Sequence, residues 1–335
     1  MNLTPKVRKT LDIATQLIIA TVALSYIFYR IYSLPAGQVN TFIASVSGGK
    51  EILAISTALI LLMVINWGIE SFKWKLLIHQ SEEVSFGKAY QAILGGIAVS
   101  VFTPNRVGEF FGRVFILQKT DPLKAILLTI VGSFSQLLVT IVFGTMAYLF
   151  FAHQYIPAVM TESIWLVSGF SFTLIIASML MVLVFFNISL LHRISILMPA
   201  KYSERIKSSI DAFAECPKRL LLITFLLSIL RYLVFSTQFY LAIRIMGLGF
   251  TAMQCMLVIP VIYLILAAIP TVALTEIGVR GSVSVFLFGL LSGANGLSAN
   301  GTLAVISATT LIWLLNIAVP SLAGVLVIFR LKFFR

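Results

Sequence analysis

Two pairs of oppositely charged side chains lie within apolar stretches of the sequence. Glu109 and Arg113 are four residues apart, and so are Glu276 and Arg280, with the acid first in both pairs. This spacing and order favour an ion pair on one face of a helix. The pairs either only fasten the helices that carry them, or they also hold arginines in place for an anionic ligand.

The first pair follows a break in the apolar segment 84–118, at Thr103-Pro104-Asn105-Arg106. The α conformation is disfavoured for the residue that precedes a proline. We therefore expect one helix to end here and a second helix to begin with Thr103 as its N-cap. A helix N-terminus carries about half a positive charge and free N–H groups that can bind an anion. Arg106 adds a guanidinium that can donate two parallel hydrogen bonds to a phosphate.

The second pair follows a similar break in the segment 251–292, which runs from Pro270 through Thr275-Glu276. By the same argument, Thr275 is the expected N-cap of the restarted helix.

Two further charges lie outside these breaks. Arg231 is in the middle of the apolar run 220–243, where it either clasps neighbouring helices or contributes to the same site. Glu70 is expected at a cytoplasmic helix end beside Lys73, with its carboxylate extended towards the membrane surface. The candidate substrate-binding residues are therefore Thr103, Asn105, Arg106, Glu109, Arg113, Arg231, Thr275, Glu276 and Arg280.

Groups that could support catalysis or bind a metal ion are scarce. The three histidines fall at the edges of apolar segments, far apart in the chain, and the two cysteines have no metal-ligand spacing. An intramembrane phosphatase or transferase needs a nucleophile or a metal ion with a nearby base. We therefore expect a protein that is not an enzyme and that carries neither a metal ion nor a cofactor.

The composition is that of a membrane protein. Of the 335 residues, 59% are hydrophobic and 11% are charged, against about 25% charged residues in soluble domains. Apolar stretches of about 20 residues recur, each long enough to cross a hydrocarbon core of roughly 30 Å. They lack the alternation of membrane β-strands, which leaves an all-α fold. The net charge of +12 gathers beside helix ends, as membrane orientation requires, so no nucleic-acid partner is expected.

Six segments are predicted to cross the membrane, while the two broken segments are predicted to be re-entrant, entering and leaving on the same side. With a cytoplasmic N-terminus, this arrangement places the six basic residues of 188–219 in the cytoplasm. If the broken segments crossed instead, this loop would face outward, against the positive-inside rule. Both termini are then expected on the cytoplasmic side of the cytoplasmic membrane. The predicted crossings are 11–31, 51–70, 124–151, 164–186, 219–243 and 302–329.

The two halves of the sequence repeat each other. The proline, glutamate and arginine of the first broken segment recur in the second at offsets of 166, 167 and 167 residues. Each half has three crossings and one hairpin, and an odd number of crossings inverts the second half. We expect a single membrane domain, 1–335, built from inverted repeats over approximately 11–151 and 164–329. Broken helices in inverted repeats are typical of secondary transporters, whose site lies near the midplane.

At the two breaks the sequence resembles the lysylphosphatidylglycerol synthase transmembrane, or flippase-like, family. That family typically has a proline followed by Arg-x-Gly-Glu in its first hairpin, which matches Pro104, Arg106, Gly108 and Glu109. Its second hairpin typically carries Gly-x-Gly-x-Arg-Glu, of which the second glycine and Arg280 match, while the acid here precedes the arginine. The resemblance spans essentially the whole chain and implies lipid translocation, in relatives often of aminoacylated phosphatidylglycerol. The chain ends soon after its last predicted helix, so the aminoacyl-transferase domain of bifunctional relatives, and with it lipid synthesis, is not expected.

These features together predict a transporter that moves a phosphate-containing lipid through a midplane Arg/Glu site. The lipid is either a membrane phospholipid or a polyprenyl phosphate. In this hypothesis Arg106, Arg113 and Arg280 bind the phosphate, while Glu109 and Glu276 hold the arginines or bind an amine of a cationic headgroup. A lipid-modifying enzyme and a non-transporting membrane scaffold are alternatives from other classes, and assembly as a homo-oligomer stays open.

Overall fold

The structure is a computed structural model that describes residues 49–101, 103, 106–155, 164–187, 216–269, 273–293 and 296–328. Every regular element in these ranges is helical. Five helical segments of this part are long and apolar enough to span a membrane. Large apolar side chains such as Leu53, Phe150 and Leu326 face outward, as contact with lipid permits. The chain is a multi-pass α-helical membrane protein.

The spanning helices coincide with five of the six predicted crossings, and the remaining segment, 11–31, lies outside the described residues. The last span contains a π-helical turn, Leu314–Ala318, between two α-helices. In chain order the helices are α1 (Gly49–Ile78), α2 (Phe86–Ser100), α3 (Gly108–Val114), α4 (Pro122–Tyr155), α5 (Ile164–Phe186), α6 (Lys218–Ile245), α7 (Ala252–Ala268), α8 (Ala273–Leu291), α9 (Ala299–Trp313) and α10 (Val319–Ile328).

Each predicted broken segment consists of two helices that pack against each other, α2 with α3 and α7 with α8. The first helix of each begins behind a hydroxyl cap. Ser85 accepts a hydrogen bond from the N–H of Lys88, and Thr251 forms a capping box with Gln254. The second helix of the first segment, α3, has seven residues and ends before the limit of the predicted segment 84–118, because the chain turns after Val114.

The helices α2 and α3 approach each other through glycines. A Cβ atom added to Gly112 would lie 2.6 Å from the Cα atom of Gly96, closer than two carbon atoms can pack. The absence of side chains here lets α3 lie directly on α2. This contact fixes the position of the charged residues Glu109 and Arg113 on α3.

A carboxylate ties the far end of α3 to the connection between α1 and α2. Glu82 accepts hydrogen bonds from the backbone N–H groups of Gln118, Lys119 and Thr120 at 2.7–3.0 Å. Burial acts to raise the pKa of Glu82, but these N–H groups hold it below its ordinary value. The turn after α3 is thereby fastened outside the spanning helices.

The first helix of each broken segment packs against the last span of the other half: α2 lies against α10, and α7 lies against α4. A close glycine contact occurs at both places, with Gly324 against Leu94 and Ala98, and Gly144 against Pro260 and Leu264. The two partners on α2 precede the two partners on α7 by the same 166 residues that separate the two prolines of the breaks. The halves therefore pack reciprocally, with α1 and α6 in contact with each other.

Candidate functional site

Eight ionisable side chains gather where the two broken segments meet α1 and α6, and we call them the central charge cluster. They form the ion pairs that connect α1, α3, α6, α8 and the first break. The members are Glu70, Lys73, Arg106, Glu109, Arg113, Arg231, Glu276 and Arg280. All five charged residues predicted at the two breaks, together with Arg231, are thus brought to one place.

Glu276 joins the two broken segments. Its carboxylate accepts hydrogen bonds from Nη2 of Arg106 at 3.3 and 3.2 Å and is paired with Nη2 of Arg280 on the next turn of α8. Arg106 has a φ of 57°, a left-handed conformation that is uncommon for a residue other than glycine. Strained backbone of this kind clusters at functional sites. The first break therefore holds a guanidinium against the second segment.

Glu70 is the centre of the second part of the cluster. Its carboxylate pairs with Nζ of Lys73 at 2.8 Å, Nη1 of Arg113 at 3.0 Å and Nη1 of Arg231 at 3.3 Å. The residue is 3% exposed. The expectation that Glu70 extends to the membrane surface is wrong, because three cations hold its carboxylate inside the helix bundle.

Both terminal nitrogens of the Arg113 guanidinium contact carboxylates, while its Nε is buried without a partner among the described residues. Nη1 contacts Glu70, Nη2 contacts Glu109 at 2.8 Å, and the residue is 2% exposed. Because both ends of the guanidinium are occupied, this geometry favours a fastening role, in which Arg113 binds α3 to α1, over the predicted contact with a phosphate.

Arg231 faces the centre from α6. Its guanidinium lies 5.0 Å from the ring centroid of Trp67, within cation–π range. Its Nε donates to Asn66 Oδ1 at 3.0 Å, and the Asn66 amide donates to Asn316 Oδ1 at 3.0 Å. Asn316 belongs to the π-helical turn, a feature frequently found at functional sites. Arg231 therefore clasps α6 to neighbouring helices and lies among the charged residues of the two breaks, and its part in a substrate site stays a prediction.

A cavity of about 190 Å³ lies at this junction, and we call it the arginine cavity. Of the described residues, Arg106, Arg231 and Arg280 line it and no Asp or Glu does, although the Glu276 carboxylate contacts two of these arginines from outside the lining. Nε of Arg280 and Nε1 of Trp67 are buried without a hydrogen-bond partner in the part of the chain that the structure describes. The remaining lining residues are Asn66, Phe235, Tyr263, Ile312, Asn316 and Ile317. Chemically, the cavity offers cations and N–H donors to an anion.

A neighbouring cavity of about 270 Å³ shares Arg106 and Arg231 with the arginine cavity. Unlike the arginine cavity it also contains carboxylates, those of Glu70 and Glu109, together with Lys73. The two arginines thus border a purely cationic space and a mixed one.

The polar uncharged residues predicted at the breaks occupy different positions in the structure. The hydroxyl of Thr103 accepts the N–H of Gly108 at 2.9 Å and so occupies a donor at the start of α3 that an anion would need. The N-cap residue of α3 is Val107, which has no side-chain cap hydrogen bond, so the prediction of Thr103 as the N-cap is wrong. The helix α8 begins at Ala273, which places Thr275 inside its first turn instead of at the predicted N-cap. Asn105 and the side chain of Thr275 lie outside the described residues.

Several site residues were missed from the sequence. Asn66 and Asn316 carried a usable signal, because a polar side chain inside an apolar span usually faces the bundle interior. Trp67 and Tyr263 carried none, since aromatic residues are common throughout apolar helices. Among the described residues, His, Cys, Asp and Glu form no group of three that could hold a metal ion.

Comparison with known proteins gives one family. The family model described as Lysylphosphatidylglycerol synthase TM region matches residues 13–333, a range that contains every helix described above. Neither the curated proteins nor the solved structures include a significant match.

Proposed function

The chain belongs to the lysylphosphatidylglycerol synthase transmembrane-region family, and from this premise we propose that it transports a phosphate-containing lipid across the cytoplasmic membrane. The observation that carries the proposal is the arginine cavity. Three guanidinium groups line a space to which no described carboxylate contributes, and the lining includes residues of helices long and apolar enough to span a membrane. Charges in such a place are costly, and where they persist they commonly mark a substrate pathway.

The proposed roles within the cluster follow from how each side chain is engaged. Arg106, Arg231 and Arg280 contact the lipid phosphate, since guanidinium donates to phosphate through two parallel hydrogen bonds. Glu276 orients Arg106 and Arg280 through the ion pairs described above. Glu70, Glu109 and Arg113 fasten α3 to α1. This assignment keeps two of the three arginines predicted to bind phosphate and replaces Arg113 by Arg231.

The reciprocal packing supports an inverted repeat with re-entrant hairpins. The hydroxyl caps Ser85 and Thr251, the residues of α2 and α7 that contact a glycine, and the prolines of the breaks all recur at the offset of 166 residues. Broken helices at corresponding positions of two repeats place a transporter's site at the repeat interface. The central charge cluster occupies such an interface, because Glu276 of one segment binds Arg106 of the other.

The proposed movement uses the two cavities that share Arg106 and Arg231. The phosphate passes between them while the lipid tails remain in the hydrocarbon region. The Arg106 side chain is 35% exposed, so its contact with Glu276 is the partly solvated ion pair that breaks and reforms as the hairpins move. Transport is proposed over lipid chemistry because, among the described residues, the lining of the arginine cavity includes cations but no carboxylate or imidazole that could act as a base.

The test is lipid flipping by purified protein in vesicles that contain a fluorescent phosphate lipid and an impermeant quencher added outside. The double variant Glu276→Gln/Arg280→Met removes a charge pair and should stay folded but lose flipping. The matched control is Glu51→Gln/Arg244→Met, which removes an ion pair of 2.8 Å between exposed side chains and should retain flipping. Wild-type protein that flips no phosphate lipid, or a fully active Glu276→Gln/Arg280→Met variant, would overturn the proposal.

A further inference from the structure

We propose that the arginine cavity selects a phosphate monoester over a phosphodiester. A monoester carries close to two negative charges at neutral pH and three terminal oxygens, whereas a diester carries one charge and two such oxygens. The inference rests on the proposed function, since it names the headgroup chemistry of the same site. It is carried by two observations, the balance of charge and the number of unused donors.

The central charge cluster is not electrically neutral. It contains five basic side chains, those of one lysine and four arginines, against three glutamates, so it holds two more positive than negative formal charges. The other Asp and Glu residues of the described part, such as Glu51 and Glu82, lie at helix ends or connections, and none of them forms an ion pair with a described residue of the cluster. A dianionic headgroup would neutralise the cluster, while a monoanionic one would leave a net buried charge.

The three arginines of the cavity each keep part of the guanidinium uncommitted. Arg106 and Arg280 use Nη2 for Glu276, and Arg231 uses Nε and Nη1. Across the described residues no hydrogen bond is recorded for the other nitrogens of these three groups, and Nε of Arg280 is buried without a partner. Three partly free guanidinium groups around one space match three terminal oxygens better than two.

The rest of the lining strengthens this preference. Phe235, Ile312 and Ile317 are apolar, and the asparagines Asn66 and Asn316 are neutral. Such walls screen a charge poorly compared with water, so the second negative charge of a monoester retains most of its attraction to the arginines. One charge-assisted hydrogen bond changes a dissociation constant by about tenfold or more. We therefore expect the monoester to bind at least about tenfold more tightly than the diester.

The experiment compares two lipids that differ by one methyl group. Phosphatidic acid carries a monoester, and phosphatidylmethanol with the same acyl chains is its methyl diester; diacylglycerol with these chains is the phosphate-free control. Binding of each to the purified full-length protein in detergent is measured at pH 8. We expect phosphatidic acid to bind at least about tenfold more tightly than phosphatidylmethanol.

A variant that removes one positive charge tests whether the preference depends on the charge of the headgroup and not on the size of the added methyl group. Arg231→Gln lowers the surplus by one, and Glu70 keeps two partners, Lys73 and Arg113. This variant should reduce the preference for phosphatidic acid to about threefold or less, on the scale of a lost charge-assisted contact. Arg244→Gln, the same change at the exposed end of the same helix, should leave the preference unchanged. Arg106→Gln serves as a second variant if Arg231→Gln does not fold.

The outcomes distinguish this inference from the proposed function. Equal binding of phosphatidic acid and phosphatidylmethanol, or a preference that survives both Arg231→Gln and Arg106→Gln, overturns monoester selection while lipid transport stands. Binding of none of the phosphate lipids overturns both. If glycerol 3-phosphate binds as tightly as phosphatidic acid, the monoester preference stands but the ligand is a soluble phosphate, and the lipid-transport proposal fails.

Discussion

Replacement of Glu70 by Gln is the most severe test of the electrostatic organisation described here. Glu70 is 3% exposed, and three cations contact its carboxylate. The amide of Gln is of similar size but neutral, so Lys73, Arg113 and Arg231 would keep their charges and lose their common partner. We expect Glu70→Gln to destabilise the fold more than any other single Glu→Gln change in the cluster.

The magnitude follows from burial and partner number. Removing one member of a buried ion pair costs about 3–5 kcal/mol, because the remaining charge is left uncompensated. Glu109 is the matched comparison: its side chain is 16% exposed, and its ion pair is with Arg113, which retains Glu70. Its replacement by Gln should cost only about 1 kcal/mol, as for a partly solvated pair. The two variants should therefore differ by at least about 2 kcal/mol.

The assay is unfolding in mixed detergents followed by tryptophan fluorescence, which reports on the cluster through the buried residues Trp67 and Trp74. A second variant, Glu70→Gln/Lys73→Met, removes one stranded cation and should recover part of the loss. The recovery should be incomplete, because Lys73 also donates to the carbonyl of Gly132 and the hydroxyl of Ser228. Two results would contradict electrostatic coupling in the cluster. One is a Glu70→Gln variant that is no less stable than Glu109→Gln. The other is that Lys73→Met lowers the free energy of unfolding by the same amount in the Glu70→Gln variant as in the wild-type protein.

Three further predictions concern topology, packing and pH. In a protein with Cys216 and Cys255 replaced, Glu83→Cys and Gln154→Cys should react with an impermeant thiol reagent from opposite sides of the membrane; labelling from the same side would mean that the first broken segment crosses. Gly144→Ala and Gly324→Ala should each lower the free energy of unfolding in detergent by about 1–3 kcal/mol, since a Cβ atom has no room at either helix contact. Gly169→Ala on α5, where the space is open, should not destabilise the protein, and equal effects at all three positions would contradict this packing. Because the pKa of Glu82 is lowered, its hydrogen bonds stabilise the protein above the unfolded-state pKa of about 4.3, and this stabilisation is lost as the pH falls through the folded-state pKa. Acidification should therefore lower the unfolding midpoint of the wild-type protein more than that of Glu82→Gln. Parallel pH profiles of the two proteins would contradict the role of this carboxylate.

The sequence alone predicted the five spanning helices of the described part and the interruption of the two other apolar segments. Length and hydropathy decide whether a segment can span a membrane, so the predicted crossings 124–151 and 219–243 differ from α4 and α6 by only a few residues at each end. Local rules also predicted the paired charges, since an acid four residues before an arginine meets it on the same helix whatever lies around it. The offset between the two prolines of the breaks, read from the sequence, also separates the residues of α2 and α7 that contact a glycine in the structure.

The tertiary structure alone decided which charges are free to meet a ligand. Glu109–Arg113 and Glu276–Arg280 look equivalent along the chain, yet Arg113 is closed off by Glu70 from α1, whereas Arg280 lines a cavity. Nothing in the spacing of residues predicts this difference, because Glu70 and Arg113 are 43 positions apart and meet only when α1 and α3 both pack against α2. Charge interactions fall off with distance in space and not along the sequence, so the role of a buried arginine depends on the helices that surround it.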